Sequence, residues 1–172
     1  MEFKMKIQAP LICLMILLTF GLMAKESSGK KLNINIKEEG VLVNEEKITG
    51  SLKIEDYDKF FGKYDLKESR EDGLYYTWDK LGIKLREDNE TKNINQLSIY
   101  LTISRASDTK SPYKGKLTVI SKDINSNSNP AKFNNDLICQ QIFCTFKTEV
   151  MTVNTNLTED KKKFKIFIIK LD

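Results

Sequence analysis

The chain has no histidine. That removes the side chain that most often serves as general base, nucleophile activator and metal ligand at neutral pH. Nucleophilic catalysis is then left with Ser–Lys chemistry. No G-x-S-x-G elbow or S-x-x-K constellation stands out among the serines, and neither "SLKI" nor "SRAS" fits those patterns. Glycine is sparse and scattered, eight residues in 172, so no phosphate-cradling loop is present. Cysteine is limited to Cys13, Cys139 and Cys144, and with no histidine beside them a zinc site is not expected. There is one tryptophan and little excess of charge, 28 Lys+Arg against 24 Asp+Glu for a net +4. So small an excess does not point to nucleic acid. Nothing in the sequence calls for a cofactor or a metal.

What is present reads as globular, with 40% hydrophobic and 30% charged residues. The start differs from the rest. A basic "MEFKMK" leads into "APLICLMILLTFGLMA", residues 9–24, which carries no charge, and "KESSGKK" follows abruptly. A basic start, a short apolar run and small residues at its end describe a secretory signal over 1–24. The run falls short of the roughly 20 residues of a spanning helix. An uncleaved anchor is the alternative, and membrane contact through residues 7–24 follows only in that case. Residues 25–31 are then a linker, and the protein is expected to be exported, to the periplasm or the cell surface. Export permits a Cys139–Cys144 disulfide. Within one strand the two would face opposite ways, so they can pair only across a turn; two buried thiols are the favoured reading and the bridge is the alternative.

Beyond the linker the apolar residues alternate. "KLNINIKEEGVLVNEEKITG" places Leu32, Ile34 and Ile36 on one face and predicts a hairpin turning at Asn44 and Glu45. "SLKIEDYDKFFGK" spaces Ile54, Tyr57, Phe60 and Phe61 as one face of a two-turn helix, with Glu55 and Asp56 in its first turn and Gly62 at its end. "GLYYTW-DKLG-IKLR" is a second hairpin, and "INQLSIYLTI" sets Leu97, Ile99 and Leu101 on one side of a strand. "GKLTVISKDI" then echoes "GVLVNEEKI". At an offset of 67, "LSIYL" at 97–101 lies over "FKIFI" at 164–168, and Trp78 falls on Thr145. The expectation is a degenerate tandem repeat of hairpin, helix and three strands, divided into 32–112 and 113–172. In the second copy "PAKFNNDLICQQIF" is expected to supply a helix through Phe133, Leu137 and Ile138. The fold class is α+β, mainly antiparallel sheet with one or two short helices.

The stretches "GVLVNEEKITG", "IEDYDKFFGK", "YYTWDKLGIKL", "LSIYL" and "KSPYKGKLTV" together resemble a bacterial exported domain family of unknown function. That family shows an N-G-K-type turn, a short helix ending in a Leu/Phe-Gly step, a W-D-x-L-G-I hairpin and a second copy opening after S-P-[FY]-x-G. Here the turn reads Asn44-Glu45-Glu46, without its glycine. The resemblance covers about 40–120 and implies the fold and an exported setting, but no activity and no catalytic residues.

The tryptophan hairpin is the first place to look for a site. Tyr76 and Trp78 alternate onto one face, with Ile83 and Leu85 opposite, ready to pack on Phe60 and Phe61. This face, with Leu97 and Ile99, is the expected core. Tyr75 points the other way, and Tyr75 with Asp79 in the turn is the candidate partner surface. Asp79 is also placed to accept N–H bonds within its turn. The acids Glu55, Asp56 and Asp58, and Glu87, Asp88 and Glu90, read as solvated, because a carboxylate-pair hydrolase needs two acids across a cleft. "REDNETKN" lacks the calcium-loop pattern. The expectation is a non-enzymatic protein that binds a protein or cell-envelope partner, an inhibitor- or immunity-like module by analogy of architecture alone. An exported carboxylate-dependent hydrolase and a structural envelope component are the alternatives.

Overall fold

The computed structural model describes residues 31–171 except 104–108, 134, 136 and 147–150. The apolar segment 9–24, with Cys13 and most of the linker, lies outside the described residues.

Alternation builds the first three strands. β1 (Asn33–Lys37) buries Ile34 and Ile36, β2 (Gly40–Val43) buries Val41 and Val43, and β3 (Glu46–Ile48) buries Ile48. The β2–β3 turn is made by Asn44 and Glu45 alone, both at positive φ, 49° and 71°. Two consecutive left-handed residues give the turn whose twist matches antiparallel strands. A 3-10 turn, Ile54–Tyr57, runs directly into the four-residue helix α1 (Asp58–Phe61). The Asp56 carboxylate accepts from the Lys53 N–H at its start (2.9 Å), and Gly62, at φ 71°, ends it. This short segment buries Tyr57 and Phe61, while Phe60 is half-buried. Packing of these rings, not intrinsic helicity, holds so short an element.

Four antiparallel strands follow: β4 (Leu66–Arg70), β5 (Gly73–Trp78), β6 (Ile83–Glu87) and β7 (Ile94–Tyr100). The chain then forms the hairpin β8 (Lys116–Val119) and β9 (Lys122–Ile124), a 3-10 turn over Pro130–Phe133, and four more antiparallel strands. These are β10 (Leu137–Gln140), β11 (Phe143–Phe146), β12 (Val153–Leu157) and β13 (Phe164–Lys170). Two sheets result, one ordered β3-β2-β1-β8-β9 and the other β10-β11-β12-β13-β7-β6-β5-β4. The β1–β8 pairing is parallel and every other pairing among the described strands is antiparallel.

Each sheet therefore mixes early and late strands. In the larger one, Trp78, Ile83, Ile99 and Phe167 stand opposite one another in a row across β5, β6, β7 and β13. Their inward faces join Ile34, Ile36, Val41 and Val119 of the smaller sheet in one continuous core. Burying each such side chain contributes about 1.5–3 kcal/mol. Among the described residues no helix is long and apolar enough to cross a membrane.

Two sequence expectations change. Leu137–Gln140, expected to continue a helix, is the strand β10, with Leu137 buried and Ile138, Cys139 and Gln140 exposed. β4 was not anticipated, because "LKESR" carries no apolar alternation and lies at a sheet edge. The bulges at Arg86/Glu87 and Asn156/Leu157 stand 70 residues apart, as do the pairs Ile83↔Ile99 and Val153↔Ile169.

Candidate functional site

Trp78 is 2% exposed, and its indole Nε1 donates to the Gly62 carbonyl at 2.7 Å. The Phe61 ring meets it edge-on at 5.2 Å. The one tryptophan thus ties the end of α1 to β5. The turn after it is equally committed to the fold. Gly82, at φ 67°, lies against the backbone of Ser111–Tyr113 so closely that a Cβ would stand 2.3 Å from the Tyr113 nitrogen. The Ser111 N–H donates to the Asp79 carbonyl (3.1 Å), and the Tyr113 hydroxyl donates to the Leu32 and Lys116 carbonyls (2.7 and 3.1 Å). The "WDKLG" and "SPYKG" stretches, 35 residues apart at Trp78 and Tyr113, therefore form one junction that seats β8 beside β1.

Asp79 and Tyr75 do not form the free surface expected of them. The Asp79 carboxylate is largely covered and pairs with Lys110 at 2.8 Å, while its own N–H donates to the Asp65 carboxylate (2.8 Å). Tyr75 does face away from Trp78, but it is only 9% exposed. Arg70 and Lys84 lie over its ring at 4.6 and 4.5 Å, and its hydroxyl donates to Asp72 at 2.6 Å. That hydrogen bond, with Arg86 at 3.1 Å, holds the Asp72 carboxyl below its ordinary range.

The structure instead opens a groove of about 580 Å³ where the 53–58 segment, the start of β4 and the end of β6 converge. Tyr64 and Tyr76 form its aromatic wall, meeting edge-on at 5.0 Å, with Tyr64 39% exposed. Lys53, Lys63, Lys67 and Lys92 line it together with Glu55, Asp58 and Glu87. The Lys67 ammonium stands 5.2 Å from the Tyr76 ring centre. The Tyr76 hydroxyl donates to Glu87 at 2.9 Å. Burial, then the Glu87 carboxylate, push that hydroxyl's pKa well above its ordinary value. Such a groove can stack a ring or apolar face on tyrosine and satisfy groups of both charges around it.

Sequence reasoning passed over this site. Glu55 and Asp58 belong to one acid cluster and Glu87 to another, and only the folding of the helical segment beside β6 brings them to one groove. Of the rest, Asp56 caps the helical start, and Asp88 accepts from the Glu90 and Thr91 N–H groups (3.0 and 2.8 Å), which holds its carboxyl below the ordinary range. Among the described residues no three acids or cysteines cluster as metal ligands would.

Cys139 and Cys144 face each other across the β10–β11 turn, with Cα atoms 4.1 Å apart, and form a disulfide. That separation matches the close, non-hydrogen-bonded pairs of an antiparallel ladder. Cys139 is exposed and Cys144 buried.

Fold and groove define a two-sheet α+β domain with an open groove lined by tyrosine, lysine and carboxylate side chains. The chain belongs to a family of domains of unknown function, DUF7738, whose model matches residues 33–134. The match takes in the whole smaller sheet and the β4–β7 half of the larger one, with every residue of the groove. No curated protein and no solved structure matches the chain.

Proposed function

We propose that this is a non-enzymatic, exported bacterial protein that binds a protein or cell-envelope partner through the groove beneath Tyr64. The observation that carries the reading is the composition of that groove: an exposed tyrosine, four lysines and three carboxylates, with no serine, threonine or cysteine among its lining residues. A mixed-charge aromatic surface is what recognition of another macromolecule uses. The basic, then charge-free N-terminus and the Cys139–Cys144 disulfide both support export, since disulfides persist in oxidising compartments.

The architecture supports descent from a duplication. Each half runs hairpin, 3-10 turn and four antiparallel strands, and β7 and β13 pair at the centre of the larger sheet. The turn residues Asn44 and Glu45 recur as Ile120 and Ser121, again both at positive φ. In this reading the second half has lost α1 and the tryptophan, and the groove belongs to the first half alone.

Partner recovery from envelope extract tests the binding reading. The parent retains a partner that Tyr64→Ala and Lys67→Glu lose, while both variants melt like the parent. Equal recovery by all three overturns it. One observation favours a carboxylate hydrolase instead: Glu55, Asp58 and Glu87 line the same groove. Hydrolysis of envelope material by the parent, abolished in Glu87→Gln, would establish that alternative.

A further inference from the structure

The two sheets have four edge strands, and three of them carry charge. β3 reads Glu46-Lys47-Ile48, β9 Lys122-Asp123-Ile124 and β4 Leu66-Lys67-Glu68-Ser69-Arg70. Charged side chains on an edge oppose the addition of further strands. The fourth edge, β10, reads Leu137-Ile138-Cys139-Gln140 and has no charge. The comparison with β4 is direct, because the two close opposite ends of one sheet and share a register at a separation of 70. Lys67, Glu68, Ser69 and Arg70 pair with Tyr76, Tyr75, Leu74 and Gly73, and Leu137, Ile138, Cys139 and Gln140 pair with Phe146, Thr145, Cys144 and Phe143. Every charge on the one edge is replaced by an uncharged residue on the other. The fold itself does not require this at the outward positions: Glu68 occupies the place that Ile138 takes.

The same hairpin carries the two most exposed large hydrophobic side chains among the described residues, Ile138 at 63% and Phe143 at 59%. They share the outer face of β10–β11, on a diagonal between the opposed pairs Ile138↔Thr145 and Gln140↔Phe143. The Cys139–Cys144 disulfide cross-links the strands between those pairs. The edge is therefore held extended, uncharged and apolar on its open face.

We infer that β10 is a self-association edge, which pairs antiparallel with β10 of a second copy about a two-fold axis and continues the larger sheet across the dimer. The occupant follows from charge and symmetry. An axis perpendicular to the sheet at Ile138 sets each Ile138 against its equivalent, and Leu137 against the second copy's Cys139. Within Leu137–Gln140 no charge is desolvated and no like charges meet. An isologous contact of this kind closes on itself and uses up the exposed edge in both copies. The groove beneath Tyr64 lies toward the β4 end of the sheet, so a dimer would display two grooves.

The test is photo-crosslinking in cells expressing the full chain, with a photoreactive residue at position 138, at 143, or at 68 on the β4 edge. The expected result is a band at twice the chain mass from 138 and 143, and none from 68. Ile138→Lys, combined with the photoreactive residue at 143, lowers that band at least tenfold and leaves the melting temperature unchanged. Crosslinks from 138 to a different protein only, a chain that stays monomeric at both positions, or a band of equal strength in Ile138→Lys would each overturn the proposal. Loss of the groove's partner in Tyr64→Ala leaves this test unaffected, so the two readings fail separately.

Discussion

Trp78→Ala removes the largest fully buried side chain in the described core. A tryptophan buries roughly 200 Å², worth about 5 kcal/mol at ~25 cal/mol per Å²; alanine retains part of this. Large-to-small core substitutions of this kind cost about 3–5 kcal/mol. The loss has two separable parts here. The indole fills the space between Phe61 and Tyr64, and its Nε1 satisfies the Gly62 carbonyl at the end of α1. Trp78→Phe keeps most of the ring and removes the donor, so it should cost about 1–3 kcal/mol. The assay is urea unfolding followed by far-UV circular dichroism, because the substitution deletes the chain's one tryptophan fluorophore. In a domain of this size, about 2–4 °C per kcal/mol puts the Trp78→Ala decrease in Tm at about 6–20 °C. A cost below about 1 kcal/mol would refute the assignment of Trp78 to the core. A Trp78→Phe variant as stable as the parent would refute the hydrogen-bond part of the argument.

Two further outcomes follow from the same geometry. Replacing Cys139 and Cys144 together with alanine releases a loop of sequence separation 5, for which the chain-entropy relation gives about 2 kcal/mol; a reductant should destabilise the parent by the same amount and the double variant not at all, and an equal response from both would contradict the bridge. Stability should fall at both extremes of pH, read as Tm between about pH 3 and 11. On the acid side, the carboxyls of Asp72 and Asp88 are held low by hydrogen bonds, so their contribution is present above the ordinary value near about 3.9 and is lost as pH falls through the lower folded values. On the basic side, burial raises the hydroxyl pKa of Tyr57, Tyr76 and Tyr113, so the fold is favoured below the ordinary value of about 10 and loses that stability as pH climbs beyond it. An acid transition already complete at about pH 5 would refute the first sign.

The local elements were legible where burial is one-sided. Ile34, Ile36, Val41, Val43 and Ile48 alternate because one face of each strand meets the core, and Tyr57, Phe60 and Phe61 fall together because a helical segment does. β4 was illegible for the opposite reason: an edge strand with both faces largely exposed has no alternation to show. The segment at Phe133–Ile138 misled because a buried aromatic, a buried leucine and an adjacent isoleucine fit a helical stripe as well as a turn followed by a strand. Tyr75 and Asp79 were placed on their proper face and turn. Local spacing could not show that Arg70 and Lys84 cover one and Lys110 engages the other. The groove was hidden for the same reason, since Tyr64, Lys67, Glu55 and Glu87 come from four places in the chain and meet only through sheet register and the docking of α1 on Trp78.

The proposed recognition through the groove, with the tryptophan hairpin as the support beneath it, is most directly tested as partner recovery per folded molecule in Tyr64→Ala beside Trp78→Phe. At a temperature where both variants remain fully folded, Tyr64→Ala should lose the partner at least tenfold while Trp78→Phe retains it. Retention by Tyr64→Ala together with loss by Trp78→Phe would contradict the account and return the site to the tryptophan hairpin.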